Sequence, residues 1–188
     1  MVNPAEPATR RRMLGISLAS SASVAAAALA GCGGSRRRLK LGDRSLDSDA
    51  ELLNSLLHLE RRAIAAYTAG APLLNGRDGR AATAFLRQEL AHAGLLLALI
   101  KRAGGTAPPR LASYDLGHPR NPRDVLALLH QVERAQLSAY VDAVPRLSPG
   151  YLRASVATIL ADDAQHVSVL RTLLGLNPVP AAFVSGGE

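Results

Sequence analysis

The stretch Glu89-Leu90-Ala91-His92 decides the fold, because it places a carboxylate and an imidazole three residues apart in an apolar context. Side chains at this spacing project from one face of an α-helix. Apolar residues recur around the pair at helical spacing, namely Phe85, Leu86, Ala93, Leu96, Leu99 and Ile100. Glu89 therefore lies within the apolar stripe of a predicted helix, where an unpaired charge costs several kcal/mol or more. The sequence predicts that a partner compensates this buried carboxylate.

The pattern around this pair occurs twice in the chain. Each copy has an acid followed seven residues later by a tyrosine, and then an acid-x-x-His pair on a second helix. The first copy consists of Glu60, Tyr67, Glu89 and His92, and the second of Glu133, Tyr140, Asp163 and His166. Such an internal repeat indicates two supersecondary units of one kind. We therefore predict two helical hairpins that contribute equivalent polar residues to one core.

Composition and chain breaks agree with an all-helical fold. The chain is rich in Ala and Leu, has no Trp and has only 3% aromatic residues, which favours helices over strands. We predict helices over residues 48–69, 79–103, 122–144 and 149–174, separated by Gly- and Pro-rich segments. The connection 104–121 is long, which implies a crossover between parallel helices. The expected fold class is all-α: a four-helix bundle made of two helical hairpins joined by a long crossover.

The first 32 residues are interpreted as a signal segment and not as part of the fold. Thr9-Arg10-Arg11-Arg12-Met13-Leu14 resembles a twin-arginine export motif, and an apolar run from Ile16 to Ala30 follows it. This run is too short and too rich in Ala and Ser for a transmembrane helix. The segment ends in Leu29-Ala30-Gly31-Cys32, which resembles a bacterial lipobox.

Cys32 is the only cysteine of the chain, so it has no intramolecular disulfide partner. The lipobox resemblance makes its thiol the expected lipid attachment point, and the alternative is a buried or incidental thiol. We expect an exported protein of the cell envelope, anchored by lipid to the extracytoplasmic side of a membrane. Residues 33–47 are a predicted basic linker, 48–176 the bundle and 177–188 a coil tail.

The net charge of +7 does not indicate a nucleic-acid-binding protein. Much of the excess lies in two clusters near the N-terminus, Arg10–Arg12 and Arg36–Lys40. Both clusters flank the apolar run, where basic residues serve export and contact with anionic lipid surfaces. The chain also lacks the interleaved aromatic residues of a single-strand binding platform. We therefore expect no nucleic-acid partner.

Six polar residues interrupt the apolar stripes near the middle of the predicted helices. They are Glu60, Glu89, His92, Glu133, Asp163 and His166. Four ionised carboxylates carry −4, which two divalent cations would neutralise with one imidazole for each ion. The alternative is a bundle that buries ion pairs and hydrogen bonds without metal. Asp162 competes with Asp163 for the ligand position, and we choose Asp163 because it shares a face with Ile159, Leu160 and His166.

These motifs resemble those of the secreted bacterial ferritin-like domain proteins, which include desiccation-associated members. The resemblance covers residues 49–183 and rests on the two repeated sets and on the ending Leu173-Leu174-Gly175-Leu176-Asn177-Pro178-Val179-Pro180. It implies a di-iron or di-manganese carboxylate centre. One departure is Asp163, where glutamate is the commoner ligand, and its shorter reach puts full occupancy of the second metal position in question.

Three further side chains are candidate partners of the ligands. Tyr67 and Tyr140 lie two turns beyond Glu60 and Glu133, where they either contact the ligands or fill the core. His130 lies three residues before Glu133. The chemistry expected is metal oxidation or peroxide-linked stress chemistry. The alternative is a non-catalytic metal-binding or scaffold protein of the envelope, so the sequence leaves enzymatic activity, metal identity and oligomeric state open.

Overall fold

The computed structural model of the protein describes residues 46–148 and 150–187. The predicted signal segment, the lipidation site Cys32 and most of the predicted linker lie outside these residues. Within the described residues no helix is both long and apolar enough to cross a membrane.

Four long helices account for most of the described residues, and none of these residues forms a strand. They are α1 (Leu46–Gly70), α2 (Gly76–Arg102), α3 (Pro122–Ala143) and α4 (Gly150–Leu173). Short 3₁₀ turns, Ala71–Leu73 and Val144–Arg146, follow α1 and α3. The prediction of an all-α four-helix bundle is confirmed. Leu46 and Asp47, which the sequence assigned to the linker, belong to α1.

Local chemistry explains the ends of the helices. At the start of α3 the Asn121 side chain accepts a hydrogen bond from the backbone N–H of Asp124 at 2.9 Å, and Pro122 occupies the first helical position. At the end of α2, Gly104 adopts a φ of 77° and Gly105 N–H donates to the carbonyl of Ile100. A positive φ favours glycine, which is why α2 ends here.

The connection between the hairpins runs along α1 and is held there by side chains. Asn54 Nδ2 donates to the carbonyl of Thr106 at 3.1 Å, and Arg61 Nη1 donates to that of Pro108 at 2.7 Å. The His58 and Tyr114 rings lie 5.7 Å apart. The chain therefore returns along the bundle before α3 begins, as the predicted crossover requires.

The core has two apolar clusters, one at each end of the bundle. One joins the first half of α1 to the ends of α2 and α3 and the start of α4, with Leu53, Leu96 and Ile159 at its centre. The other joins the second half of α1 to the starts of α2 and α3 and the end of α4. Between the two clusters lies a layer of polar side chains, to which all four helices contribute.

Gly105 provides a test of how closely the crossover approaches α1. A Cβ atom at this position would lie 2.5 Å from Cβ of Ala50, which is buried. We expect Gly105→Ala to lower the free energy of unfolding by about 1–3 kcal/mol, because overpacking displaces the backbone. Urea denaturation measures the change.

Gly94→Ala is the matched control, because a Cβ at Gly94 meets no atom within 4 Å in the middle of α2. It should raise the free energy of unfolding by roughly 0.5–1 kcal/mol through helix propensity alone. Equal effects of the two substitutions would contradict the close packing of the crossover on α1.

Candidate metal centre

The structure brings all six predicted site residues into the polar layer between the two apolar clusters. Each side chain is buried, and the most exposed of the six, His92, has 9% of its surface accessible. Helix α1 contributes Glu60, α2 contributes Glu89 and His92, α3 contributes Glu133, and α4 contributes Asp163 and His166. The repeated sequence pattern thus becomes a single cluster at mid-height of the bundle.

The donor atoms of these residues fall into two groups that share one member. Glu89, Glu133, Asp163 and His166 each offer an atom within 4.8 Å of the others, and so do Glu60, His92 and Asp163. Asp163 is fully buried and belongs to both groups, whereas Asp162 belongs to neither. Asp163 therefore offers a ligand atom to each of two candidate metal-binding groups.

Both imidazole rings direct Nδ1 towards the cluster. His92 Nδ1 lies 3.4 Å from Asp163 Oδ1 and 3.8 Å from Glu60 Oε2. His166 Nδ1 lies 3.2 Å from Glu133 Oε1 and 3.3 Å from Glu89 Oε1. The two rings are therefore oriented alike, as the internal repeat requires, and each leaves Nε2 facing outwards.

In each acid-x-x-His pair, the residue that immediately precedes the acid contacts the histidine of the other pair. His92 Nε2 lies 3.2 Å from Asp162 Oδ2, and His166 Nε2 lies 3.1 Å from Gln88 Oε1. Contacts of this kind fix the orientation of a ligating ring. Sequence reasoning treated Asp162 as a rival ligand and missed Gln88, although both precede an acid at equivalent places in the repeat.

The two tyrosines cross between the hairpins. Tyr67 of α1 donates a hydrogen bond to Glu133 Oε1 of α3 at 2.5 Å. Tyr140 of α3 donates reciprocally to Glu60 Oε1 of α1. Both rings are fully buried, so each tyrosine fills the core and also fixes one carboxylate. This pairing also shows that α1 and α3 are antiparallel.

Gln136 is a buried member of the layer that sequence reasoning missed. Its Nε2 donates to Glu89 Oε2 at 2.8 Å. The available signal was its position three residues after Glu133, on the same face of α3. His130, in contrast, belongs to neither group of donor atoms, and its Nε2 has no hydrogen-bond partner among the described residues.

Several polar atoms of the cluster face each other without a hydrogen-bond donor or acceptor from the described residues. They are Glu60 Oε2, Glu89 Oε1, His92 Nδ1, Glu133 Oε2 and both oxygens of Asp163. Buried polar atoms are nearly always satisfied, so such a concentration needs a compensating group. Carboxylate oxygens and imidazole nitrogens are suitable ligands for divalent iron or manganese. The residues present therefore fit a metal centre.

The carboxyl groups of this layer do not ionise alike in the absence of a cation. Burial and the neighbouring acids raise the pKa values of Glu60 and Asp163 well above their usual range. Burial and the charge of Glu89 raise the pKa of Glu133 to about 7. Burial opposes the charge of Glu89, but the His166 ring near its Oε1 and the Gln136 amide on its Oε2 outweigh burial, and the pKa of Glu89 is lowered.

The two histidines also differ. The pKa of His92 is lowered, chiefly by burial. Burial also opposes the charge of His166, but the hydrogen bond to Glu133 and the nearby Glu89 carboxylate outweigh it and raise the pKa of His166 to about 10. The metal-free cluster therefore retains protons that offset its carboxylate charge, and a cation would displace them.

Comparison with known proteins places this cluster in a recognised fold. A crystal structure of a conserved hypothetical protein, rv2844, from Mycobacterium tuberculosis is 23% identical, with a TM-score of 0.66 over 74% of this chain and 99% of that one. Ferritin-like, diiron-carboxylate proteins from Bacillus anthracis are 24% identical, with a TM-score of 0.61 over 71% and 99%.

A dodecameric thioferritin, the bacterioferritin-related protein from Bacteroides fragilis, is 21% identical, with a TM-score of 0.62 over 69% of this chain and 86% of that one. At these identities the likeness establishes the fold. The search of curated proteins returned no match. The family model described as ferritin-like domain matches residues 48–176, which is more than half of the sequence. The chain therefore belongs to the ferritin-like domain family.

Proposed function

We propose that this protein binds two divalent metal ions, iron or manganese, in the polar layer and uses them for oxidation chemistry with oxygen or a peroxide. The unsatisfied atoms that converge between the two groups of donors carry this proposal. Glu89, Glu133 and His166 would hold one ion, Glu60 and His92 the other, and Asp163 would contact both. The Bacillus anthracis neighbour, which is named a diiron-carboxylate protein, supports a site for two metal ions.

Bound iron or manganese would supply Lewis acidity and one-electron redox chemistry at this site. The residues of the chain hold and shield the centre. The carboxylates of Glu133 and Glu60 are each held by a tyrosine hydroxyl. The rings of His92 and His166 are oriented by Asp162 and Gln88. The apolar clusters above and below exclude water from the layer. The side chains of His92 and its neighbour Asp162 are 11% and 26% exposed, so an oxidant would approach the layer on this side.

A second candidate function is metal binding without catalysis, as a sequestering or scaffold protein of the envelope. Burial favours this candidate, because five of the six site residues have no more than 1% of their surface exposed and leave little room for a substrate. Oxygen uptake after addition of Fe(II) separates the two functions. An oxidoreductase consumes oxygen in proportion to the iron added, whereas a sequestering protein binds the iron without accelerating that consumption.

We further propose that the protein is a secreted, lipid-anchored member of its family, related to the desiccation-associated proteins. The order of an arginine motif, an apolar run and Leu29-Ala30-Gly31-Cys32 supports this proposal. Attachment of a lipid to Cys32 would leave a tether of about fourteen residues before α1 begins at Leu46. This length allows the bundle to lie next to the membrane surface.

The lipid anchor can be tested by replacing its attachment residue. We expect the full-length protein to sediment with membranes and to require detergent for release, because a bilayer retains its acyl chains. Cys32→Ala should remove the lipid, and mass spectrometry of the purified protein should show the loss of the mass of the acyl chains. Ser35→Ala, in the adjoining segment, is the control. An unlipidated wild-type protein would contradict the anchor.

The metal proposal predicts a stoichiometry of about two ions per chain, measured by plasma mass spectrometry after loading with Fe(II) or Mn(II). Asp163→Ala should reduce the content to less than about one ion per chain, because this carboxylate belongs to both groups of donors. Glu51→Gln, an exposed acid of α1, should leave the content unchanged. A wild-type protein that stays metal-free after loading would contradict the proposal.

The raised pKa values predict how the stability of the metal-free protein depends on pH. His166 contributes stability that is fully present below pH 6.5 and is lost as the pH rises through about 10. Glu133 contributes stability that is present below pH 4.5 and is lost as the pH rises through about 7. The metal-free protein should therefore lose on the order of 2–3 kcal/mol between about pH 6.5 and about pH 9.

Thermal unfolding of the metal-free and metal-loaded protein measures this dependence. The loaded protein should show a smaller fall, because the metal has already displaced the protons. His118→Gln, an exposed loop variant, should retain the wild-type dependence. A metal-free protein whose stability stays constant or rises over this range would show that the cluster does not hold these protons.

A further inference from the structure

The two acids of the acid-x-x-His pairs occupy equivalent places in the repeat but have different surroundings. Glu89 receives a hydrogen bond from Gln136 on Oε2, and only its Oε1 faces the two histidines, 3.3 Å from His166 Nδ1 and 3.7 Å from His92 Nδ1. Neither oxygen of Asp163 has a hydrogen-bond partner among the described residues. The twofold pattern of the sequence is therefore broken at the centre.

Two differences between the repeats accompany this asymmetry: the acid is Glu89 in one pair and Asp163 in the other, and the position three residues after the first acid also differs. Gln136 lies three residues after Glu133, and the equivalent position three residues after Glu60 is Ala63. Both side chains are buried, with 1% and 0% of their surface exposed. The methyl group of Ala63 cannot donate a hydrogen bond, whereas the amide of Gln136 donates one into the layer. Only one of the two equivalent acids can therefore be held in this way.

We infer that Gln136 is a positioning residue that holds the Glu89 carboxylate with Oε1, and not Oε2, directed at the two histidines of the site. The inference rests on the proposed metal site. A hydrogen bond at 2.8 Å restrains the rotation of the Glu89 carboxylate and competes for Oε2. Asp163 has both oxygens available and belongs to both groups of donors, which is the arrangement that a bridge requires.

Core packing alone does not explain a glutamine at this position. The Oε1 atom of Gln136 is buried and has no hydrogen-bond partner among the described residues. Burial of an unsatisfied amide oxygen costs free energy, which an apolar side chain of the same length would avoid. Leu137 and Tyr140 lie on the same helix and already fill the core around the layer. The function of the Gln136 amide is therefore its hydrogen bond to Glu89.

Gln136→Met tests the inference, because methionine keeps the length and loses the donor. Wild type and variant are loaded with Mn(II), and the electron paramagnetic resonance spectrum reports the coupling between two neighbouring ions. We expect the variant to bind manganese about ten- to a hundredfold more weakly. We also expect an altered coupled spectrum, because the released Glu89 carboxylate can turn and offer either of its oxygens to the ions. Gln131→Met, at an exposed position of α3, is the matched control and should leave both properties unchanged.

The possible outcomes are distinct. Gln136→Leu also lacks the amide donor and should alter the spectrum in the same direction as Gln136→Met. Opposite changes in the two variants would show that the effect comes from the new side chain and not from the lost hydrogen bond, which would overturn the positioning role. A Gln136→Met protein with the affinity and coupled spectrum of the wild type would overturn the positioning role, although the metal site would stand. A wild-type protein without a coupled manganese pair would overturn the two-metal proposal, and the role of Gln136 with it.

Discussion

The burial of four carboxylates in one layer is the constraint on which the structure depends. Two apolar clusters enclose this layer from above and below, and the four carboxylates have none of their surface exposed to solvent. Without a cation the cluster retains protons, and the pKa values of Glu60, Glu133 and Asp163 rise accordingly. Two divalent cations would replace those protons and satisfy the oxygen and nitrogen atoms that find no hydrogen-bond partner among residues 46–148 and 150–187.

The fold positions this layer through its twofold repeat. Each hairpin brings an acid and an acid-x-x-His pair to the same height, and the crossover along α1 sets the second hairpin against the first. The hairpins then support each other, because Tyr67 and Tyr140 each donate to a carboxylate of the opposite hairpin. The same reciprocity extends to the rings, since Asp162 and Gln88 contact the histidines of the opposite pairs. Several of the contacts that join the two hairpins are therefore contacts between residues of the site.

The fold and the six clustered residues were predictable from the sequence, because helical spacing and an internal repeat are local signals. The contacts between hairpins were not. The sequence placed Tyr67 and Tyr140 on the correct stripes, but their partners depend on the antiparallel packing of α1 against α3. Gln136 was missed because its equivalent, Ala63, is apolar, so symmetry gave no indication of a polar role. Asp162 was rejected as a ligand because it aligns with polar residues of its helix. Its contact with His92 depends on the packing of α4 against α2, which the sequence does not show.

The central claim is that the polar layer is a two-metal site, and anomalous X-ray scattering from crystals of the iron-loaded protein tests it most directly. We predict two anomalous peaks roughly 3.5–4 Å apart within the layer. One peak should lie among Glu89, Glu133 and His166, and the other beside Glu60 and His92, with Asp163 between them. A layer without anomalous scattering, in crystals grown and soaked with Fe(II), would contradict the account.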